Sequence, residues 1–418
     1  MQNKSLDQWL EHIESLHPAD IELGLDRIRQ VALSLDLLET TAKTVLVSGT
    51  NGKGSCCAML ESLALIEGLN VGQYTSPHLV RFNERIKVNG IEVSDEKLVT
   101  AFEVISSAQK DIRLTFFEFT TLSALWIFKQ HNLDLIVMEI GLGGRLDACN
   151  IVEPDLSIIT TIDIDHTDWL GSDLNQIAFE KAGIIRPDTP ALVGDKRSFD
   201  LVCDNLKFDA KNVSLLPSPK KEFIDFIKSD TVNPYQLLIQ NVALACQGLT
   251  LLFAKPIDLK TQKEALVTIR LNGRFQRLAN KPTTIVDVGH NPQAAGQIRE
   301  QLINMLERSR NSEKPVTRIV AICGMMADKS IVEVVSILDP LVDEWGFVDL
   351  PVPRAAKAKE LKAIYENAGL LKSVKLFGSV KNAFSEMQTK LDEQSILLVF
   401  GSFITVGNLL EYLAKNNN

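Results

Sequence analysis

Val45-Leu46-Val47-Ser48-Gly49-Thr50-Asn51-Gly52-Lys53-Gly54-Ser55 is the stretch on which the reading of this chain turns. Thr44 to Ser48 reads as a strand, Gly49 to Gly54 as a glycine-rich turn, and a helix follows from about Ser55. Glycines allow backbone N–H groups to converge on a phosphate, a helix N-terminus adds positive potential, and Lys53 supplies a point charge. Thr50, Asn51, Gly52, Lys53, Gly54 and Ser55 are therefore the candidate phosphate cradle, with Lys53 its catalytic cation. The loop is a variant of the common pattern: Val47 stands where the first glycine belongs, and Gly54 separates Lys53 from Ser55. The plainer reading is a strand-to-helix turn with an incidental lysine, and it leaves the coincidence of glycines, lysine and frame unexplained.

Outward from this loop, short apolar runs alternate with longer helical patterns, the signature of an α/β fold. Leu133 to Ile140 and Leu156 to Ile162 are continuous apolar strands of the kind buried on both faces. Arg85 to Val93 reads as a hairpin around Asn89-Gly90, and Ser5 with Gln8 as a capping box opening an amphipathic helix. A break falls near Leu271-Asn272-Gly273-Arg274. Beyond it Thr283 to Val288, Arg318 to Cys323, Trp345 to Val348 and Ile396 to Phe400 repeat the rhythm. The expected organisation is a P-loop domain over residues 1–270 and a smaller Rossmann-like α/β domain over 271–418, with the active site in the cleft between them.

The chain has 418 residues, 44 Lys+Arg against 53 Asp+Glu, and a formal net charge of −9. That balance gives no electrostatic reason to bind nucleic acid or an anionic membrane surface. No stretch is apolar enough for a membrane span, and no leader pattern opens the chain. The six cysteines form no C-x-x-C pair and read as free thiols of a reducing cytosol. Two further motifs are decoys. Glu139-Ile140-Gly141-Leu142-Gly143-Gly144 follows a strand, but Leu146 occupies the sixth position of the dinucleotide fingerprint. Asp168-Trp169-Leu170-Gly171 has the form of a GTPase switch, but no Asn-Lys-x-Asp guanine reader exists in the chain.

The loop Gly49-Thr50-Asn51-Gly52-Lys53-Gly54-Ser55 resembles that of the Mur ligase superfamily. Further segments narrow the resemblance to the folylpolyglutamate synthase family, in its bifunctional dihydrofolate synthase form. They are Tyr74-Thr75-Ser76-Pro77-His78-Leu79, Arg81-Phe82-Asn83-Glu84-Arg85-Ile86, Thr115-Phe116-Phe117-Glu118-Phe119-Thr120 and Glu139 to Asp147. Asp165-His166, Glu180-Lys181-Ala182-Gly183-Ile184, Asn272-Gly273-Arg274-Phe275, Asp287-Val288-Gly289-His290-Asn291-Pro292 and Gly401-Ser402-Phe403 continue the series in family order. Two loop positions depart from the family: Asn272 stands where Pro is usual, and Gly289 where Ala is usual.

The resemblance implies an ATP-dependent amide ligase that adds L-glutamate to dihydropteroate and to reduced folates through an acyl phosphate. Ser76 and Glu139 would hold one Mg²⁺, and His166 with Glu139 a second; Ser and Glu are hard oxygen ligands, whereas a His ligand is unusual for Mg²⁺. Lys181 would be carbamylated, although on sequence alone Glu180-Lys181 reads as a solvated helix face. Arg274 would reach the γ-phosphate, and Asp287 and His290 the ribose and adenine side of ATP. Asn291 and Pro292 also read simply as a helix cap and first turn. Thr75, Pro77, His78 and Phe117 would contact the pterin and Ser402 the glutamate; Phe117, Phe119 and Trp126 have helical or extended spacings that more often mark a core than ligand stackers. The family leans to a monomer. A Mur-type cell-wall ligase is the nearest alternative, disfavoured because only 48 residues precede Gly49. A nucleotide-gated P-loop binding protein is a more distant one.

Overall fold

The computed structural model describes residues 4–17, 22–227, 237–269, 271–310 and 313–416. The chain divides into two compact units, Met1–Arg270 and Leu271–Asn418.

In the first unit the apolar runs build an eight-stranded sheet. Its strands are β1 (Lys43–Ser48), β2 (Val71–Tyr74), β3 (Ile86–Val88), β4 (Ile91–Glu92), β5 (Leu135–Glu139), β6 (Leu156–Ile159), β7 (Ala191–Val193) and β8 (Val213–Leu215). They run in the order β4-β3-β2-β5-β1-β6-β7-β8, parallel from β2 to β8, with β3 and β4 as an antiparallel edge hairpin. That hairpin turns at Asn89 (φ 51°) and Gly90 (φ 77°), the two positive φ values a type I′ turn requires. Buried Leu, Ile and Val on the central strands meet helices on both faces, which is why these strands lack polar alternation. Helices Leu6–Leu16, Asp26–Ser34, Asp95–Gln109 and Phe116–Lys129 pack with one another. Helices Lys53–Ile66, Ile239–Phe253 and Leu259–Thr268 form another packed group. Ser5 caps the first helix with Gln8 in a reciprocal capping box, as its sequence predicts.

The second unit has its own six-stranded sheet of β9 (Gln276–Asn280), β10 (Thr283–Asp287), β11 (Arg318–Cys323), β12 (Glu344–Val348), β13 (Ser373–Phe377) and β14 (Ser395–Phe400). The order is β13-β12-β11-β14-β10-β9, parallel except for the edge strand β9. Trp345, Phe347, Tyr365 and Phe400 form an aromatic cluster in its core. Among the described residues, no helix is long and apolar enough to cross a membrane.

Candidate active site

Parallel sheets gather chemistry at the carboxyl ends of their strands, because each strand there releases a loop. In the first unit β2, β5, β1 and β6 are neighbours, and they release Thr75-Ser76, Ile140 to Asp147, Gly49 to Gly52, and Thr160 to His166 respectively. The four loops that carry most of the sequence-predicted residues therefore emerge side by side.

The phosphate loop is held from β6. Thr50 N donates to Thr161 O (2.8 Å), Asn51 N to Thr161 Oγ1 (3.2 Å), and Thr160 Oγ1 to Asn51 O (2.6 Å). Two glycines are obligatory here. A Cβ on Gly49 (φ +146°) would lie 1.9 Å from Thr160 Oγ1, and one on Gly52 (φ +88°) 2.6 Å from Asn241 Oδ1. Gly52 opens the helix Lys53–Ile66, two residues earlier than the sequence reading, so the loop N–H groups and the helix N-terminus face the same space. Lys53 Nζ donates to Gly49 O (3.0 Å), which curls the ammonium over the loop.

Glu139 ends β5, 4% exposed, and its Oε2 accepts from Ser76 N at 3.2 Å. A Cβ built on Gly54 would sit 3.6 Å from the same Oε2, so the carboxylate lies over the start of the phosphate helix. Ser76, Glu139 and the cradle are thus brought together.

Lys181 corrects the solvated-face reading: it is 4% exposed, in the last turn of the helix Leu174–Ala182. The cause is tertiary. Arg145 pairs with Glu180 (2.7 Å) and Arg145 N donates to Glu180 O (2.8 Å), clamping that helix onto the loop after β5. Gly144 and Gly183 permit the close approach; a Cβ on Gly183 would fall 2.5 Å from Arg145 Cα. Burial, with Lys53 nearby, holds the Lys181 amine down to about 7, against the opposing pull of Asp165 and Asp147. Lys181, Lys53, Thr50, Asp165 and His166 line one small cavity. His166 sits there in the left-handed region (φ 53°, ψ 41°), with its backbone N–H on Asp165 Oδ1 (2.8 Å).

Beside this lies a cavity of about 250 Å³ walled by Ser76, Pro77, Phe117, Glu118, Asp147 and Arg85. Phe117 stacks near Tyr74 (5.9 Å between ring centres), whereas Phe119 is fully buried core and Trp126 packs against that core. Asp147 closes the segment Glu139 to Asp147. It is buried and accepts from the N–H groups of Leu142 (2.8 Å) and Cys149 (2.9 Å), yet burial still pushes its carboxyl up to about 6. His78 Nδ1 accepts from Arg85 Nε (2.9 Å), and burial beside that cation keeps the imidazole neutral, down to about 4. Thr75 does not line this cavity; its N–H donates to Arg85 O (2.9 Å).

In the second unit Asp287 ends β10 with both oxygens engaged, Oδ2 by Phe275 N (2.8 Å) and Oδ1 by Gly289 N (2.6 Å). It therefore ties the turn carrying Arg274 to the strand end. Burial raises the Asp287 carboxyl, with Arg274 opposing. The Arg274 guanidinium lies 5.4 Å from the Phe403 ring centre, and His290 6.5 Å from the same ring. His290 Nδ1 stands 2.9 Å from Val288 O, a contact that fixes the donor tautomer at Nδ1. Asn291 caps the helix Pro292–Ser309 through Ala294 N (2.9 Å), with Pro292 in its first turn, as the sequence predicts. Ser402 is buried and acts as a cap, accepting from Thr405 N (3.0 Å).

A parallel sheet with a lysine-bearing phosphate loop beside a buried strand-end carboxylate, followed by a second α/β unit, defines a Mur-type ATP-dependent ligase. The model of the Mur ligase glutamate ligase domain matches residues 273–403. The chain is 37% identical to the dihydrofolate synthase/folylpolyglutamate synthase of Escherichia coli K12, over 98% of this chain and 95% of that protein. It is 38% identical to the Haemophilus influenzae protein of the same name, over 96% of each. The chain belongs to the dihydrofolate synthase/folylpolyglutamate synthase family.

Among solved structures, E. coli FolC in complex with DHPP and ADP superimposes with a TM-score of 0.86 at 34% identity, covering 99% of both chains. A bifunctional folylpolyglutamate synthase/dihydrofolate synthase with Mn, AMPPNP and L-glutamate bound does so at 0.83 and 36%, covering 98% of both.

Proposed function

We propose that this protein condenses L-glutamate with dihydropteroate, forming dihydrofolate, and with reduced folates, extending their glutamate chain, with ATP as the energy source. The observation that carries the reading is the convergence of Lys53, Glu139, Ser76 and His166 on the loops of four adjacent strand ends, where Lys181 of the helix Leu174–Ala182 lines the same small cavity as Lys53 and His166, next to a cavity that Phe117 helps to wall. Relatives crystallised with ADP, with AMPPNP and L-glutamate, and with DHPP support it.

The acceptor's carboxylate oxygen attacks the γ-phosphorus, and the bond to the bridging oxygen of ADP breaks. The glutamate amine then attacks the acyl carbon, the C–O bond to phosphate breaks, and inorganic phosphate and a proton leave. Lys53 and the loop N–H groups hold the phosphates, and Arg274 supplies a second cation to the transferring group. Asp287 and His290 serve the nucleoside of ATP. The Ser76 hydroxyl and Glu139 carboxylate are hard donors that suit Mg²⁺; phosphate oxygens and water would complete its shell, with His166 at a second ion. Bound Mg²⁺ supplies charge neutralisation between the phosphates and the carboxylate.

Lys181 is carbamylated in this reading. Its neutral amine bonds to the carbon of CO₂ and releases a proton, converting a buried neutral amine into an anionic oxygen donor beside Lys53. The cavity walled by Phe117 and Asp147 takes the pterin, whose N–H groups suit a carboxylate acceptor; Pro77 and His78 flank it, and Ser402 serves the glutamate. The enzyme acts as a cytosolic monomer, and its free, mostly buried cysteines fit a reducing compartment.

The test is phosphate release with ATP and L-glutamate while dihydropteroate, a reduced folate or a cell-wall precursor is added in turn. Release that depends on the first two acceptors is expected. Dependence on the cell-wall precursor alone, or on no acceptor, overturns the reading.

A further inference from the structure

Arg85 stands in the wall of the 250 Å³ cavity as a buried cation, 9% exposed. Its Nε donates to His78 Nδ1, and its guanidinium carbon is 5.5 Å from the ring centres of Phe82 and Phe116. Among the described residues, no carboxylate oxygen comes within the 4.0 Å of an ion pair with it. Glu84, the adjacent acid, spends its oxygens on the N–H groups of Leu79 (2.8 Å), Val80 (2.8 Å) and Arg81 (2.7 Å). A charge withdrawn from water is ordinarily paired, and the ring faces compensate only part of the cost. With five N–H donors, one of them on His78, the guanidinium keeps donors for a further acceptor.

Its position is fixed relative to the chemistry. Thr75 N donates to Arg85 O (2.9 Å), which locks Arg85 beside Ser76, and Ser76 N in turn donates to Glu139. A ligand in this cavity that presents an anion to Arg85 presents it next to Ser76.

We infer that Arg85 binds the reacting carboxylate of the acceptor, with its free N–H groups on the carboxylate oxygens. His78 is the positioning residue that orients the guanidinium edge. This rests on the reading of the cavity as the pterin pocket. The carboxylate is the one anionic group of a pteroate, and Arg85 would draw it to the wall shared with Ser76.

The experiment compares dihydropteroate with its neutral carboxamide, titrated by fluorescence against the full chain in the presence of ADP. Native protein binds the acid about 10- to 100-fold more tightly than the amide, the usual worth of charge-assisted hydrogen bonds. In Arg85→Met that preference disappears while amide affinity stays the same, and Arg85→Lys, which keeps the charge but not the fork, retains part of it. Amide binding doubles as the check that each variant is folded. A preference that survives in Arg85→Met, or equal loss of acid and amide in both variants, overturns the role of Arg85 alone. A rise in KM for L-glutamate with acid binding intact does the same. Binding of neither ligand to the native protein overturns the pocket reading and this inference with it.

Discussion

A lysine amine poised near neutrality can add CO₂ at physiological pH, whereas a solvated one is almost wholly protonated. Lys181 is held at about 7 against an ordinary 10.5, so between those values the unfolded chain binds more protons than the folded one. Stability contributed at this residue therefore rises with pH across that window, and a charged Lys181 opposes folding below it. Replacing the amine by Lys181→Met removes this dependence, which urea midpoints at pH 7 and pH 9 would show as a smaller rise than in the native protein. Lys181→Ala is expected to bind ATP but to turn over about a hundredfold or more slowly, with partial rescue by formate or acetate. Near-normal turnover in that variant contradicts the carbamate. The burial was not legible in Glu180-Lys181, because it is imposed by Arg145 and by Gly144 and Gly183, distant in sequence from any helical pattern. Asp147 was likewise hidden, since a carboxylate inside a glycine-rich loop carries no mark of the cavity it faces.

At the scale of elements, strands buried on both faces were readable from apolar runs: Arg318 to Cys323 is observed with those bounds, and β1, β5 and β6 lie within a residue or a few of theirs. The short β7 and β8, of three residues each, lie beyond what periodicity resolves. The phosphate loop depends on its strand–loop–helix frame, and Gly49→Ala strikes that frame directly. Its methyl would have to displace Thr160, costing about 1–3 kcal/mol in backbone strain alone. A lowered Tm together with lost ATP binding is expected; an unchanged Tm contradicts the packing described. In the second unit, Asp287→Ala strands the N–H groups of Phe275 and Gly289 and is expected to cost about 1–3 kcal/mol for each that stays buried. The measurement is the unfolding free energy, and a neutral result would assign Asp287 to the nucleotide alone.

For the whole molecule, a net charge of −9 coexists with a site for ATP, a pteroate and glutamate because the attraction is local. Lys53 and the N-terminus of its helix concentrate positive charge at the phosphate loop, while the average over the chain stays acidic. The order of motifs along the chain was legible and led to the family that full-length relatives establish. The packing that buries Lys181 and Arg85 was not. The central claim, that the acceptor is activated as an acyl phosphate, is tested most directly by isotope transfer. Dihydropteroate carrying ¹⁸O in both carboxylate oxygens is turned over with ATP and L-glutamate, and phosphate and dihydrofolate are analysed by mass. One ¹⁸O per turnover in the phosphate and one in the new amide is the predicted result, and phosphate free of label would contradict it.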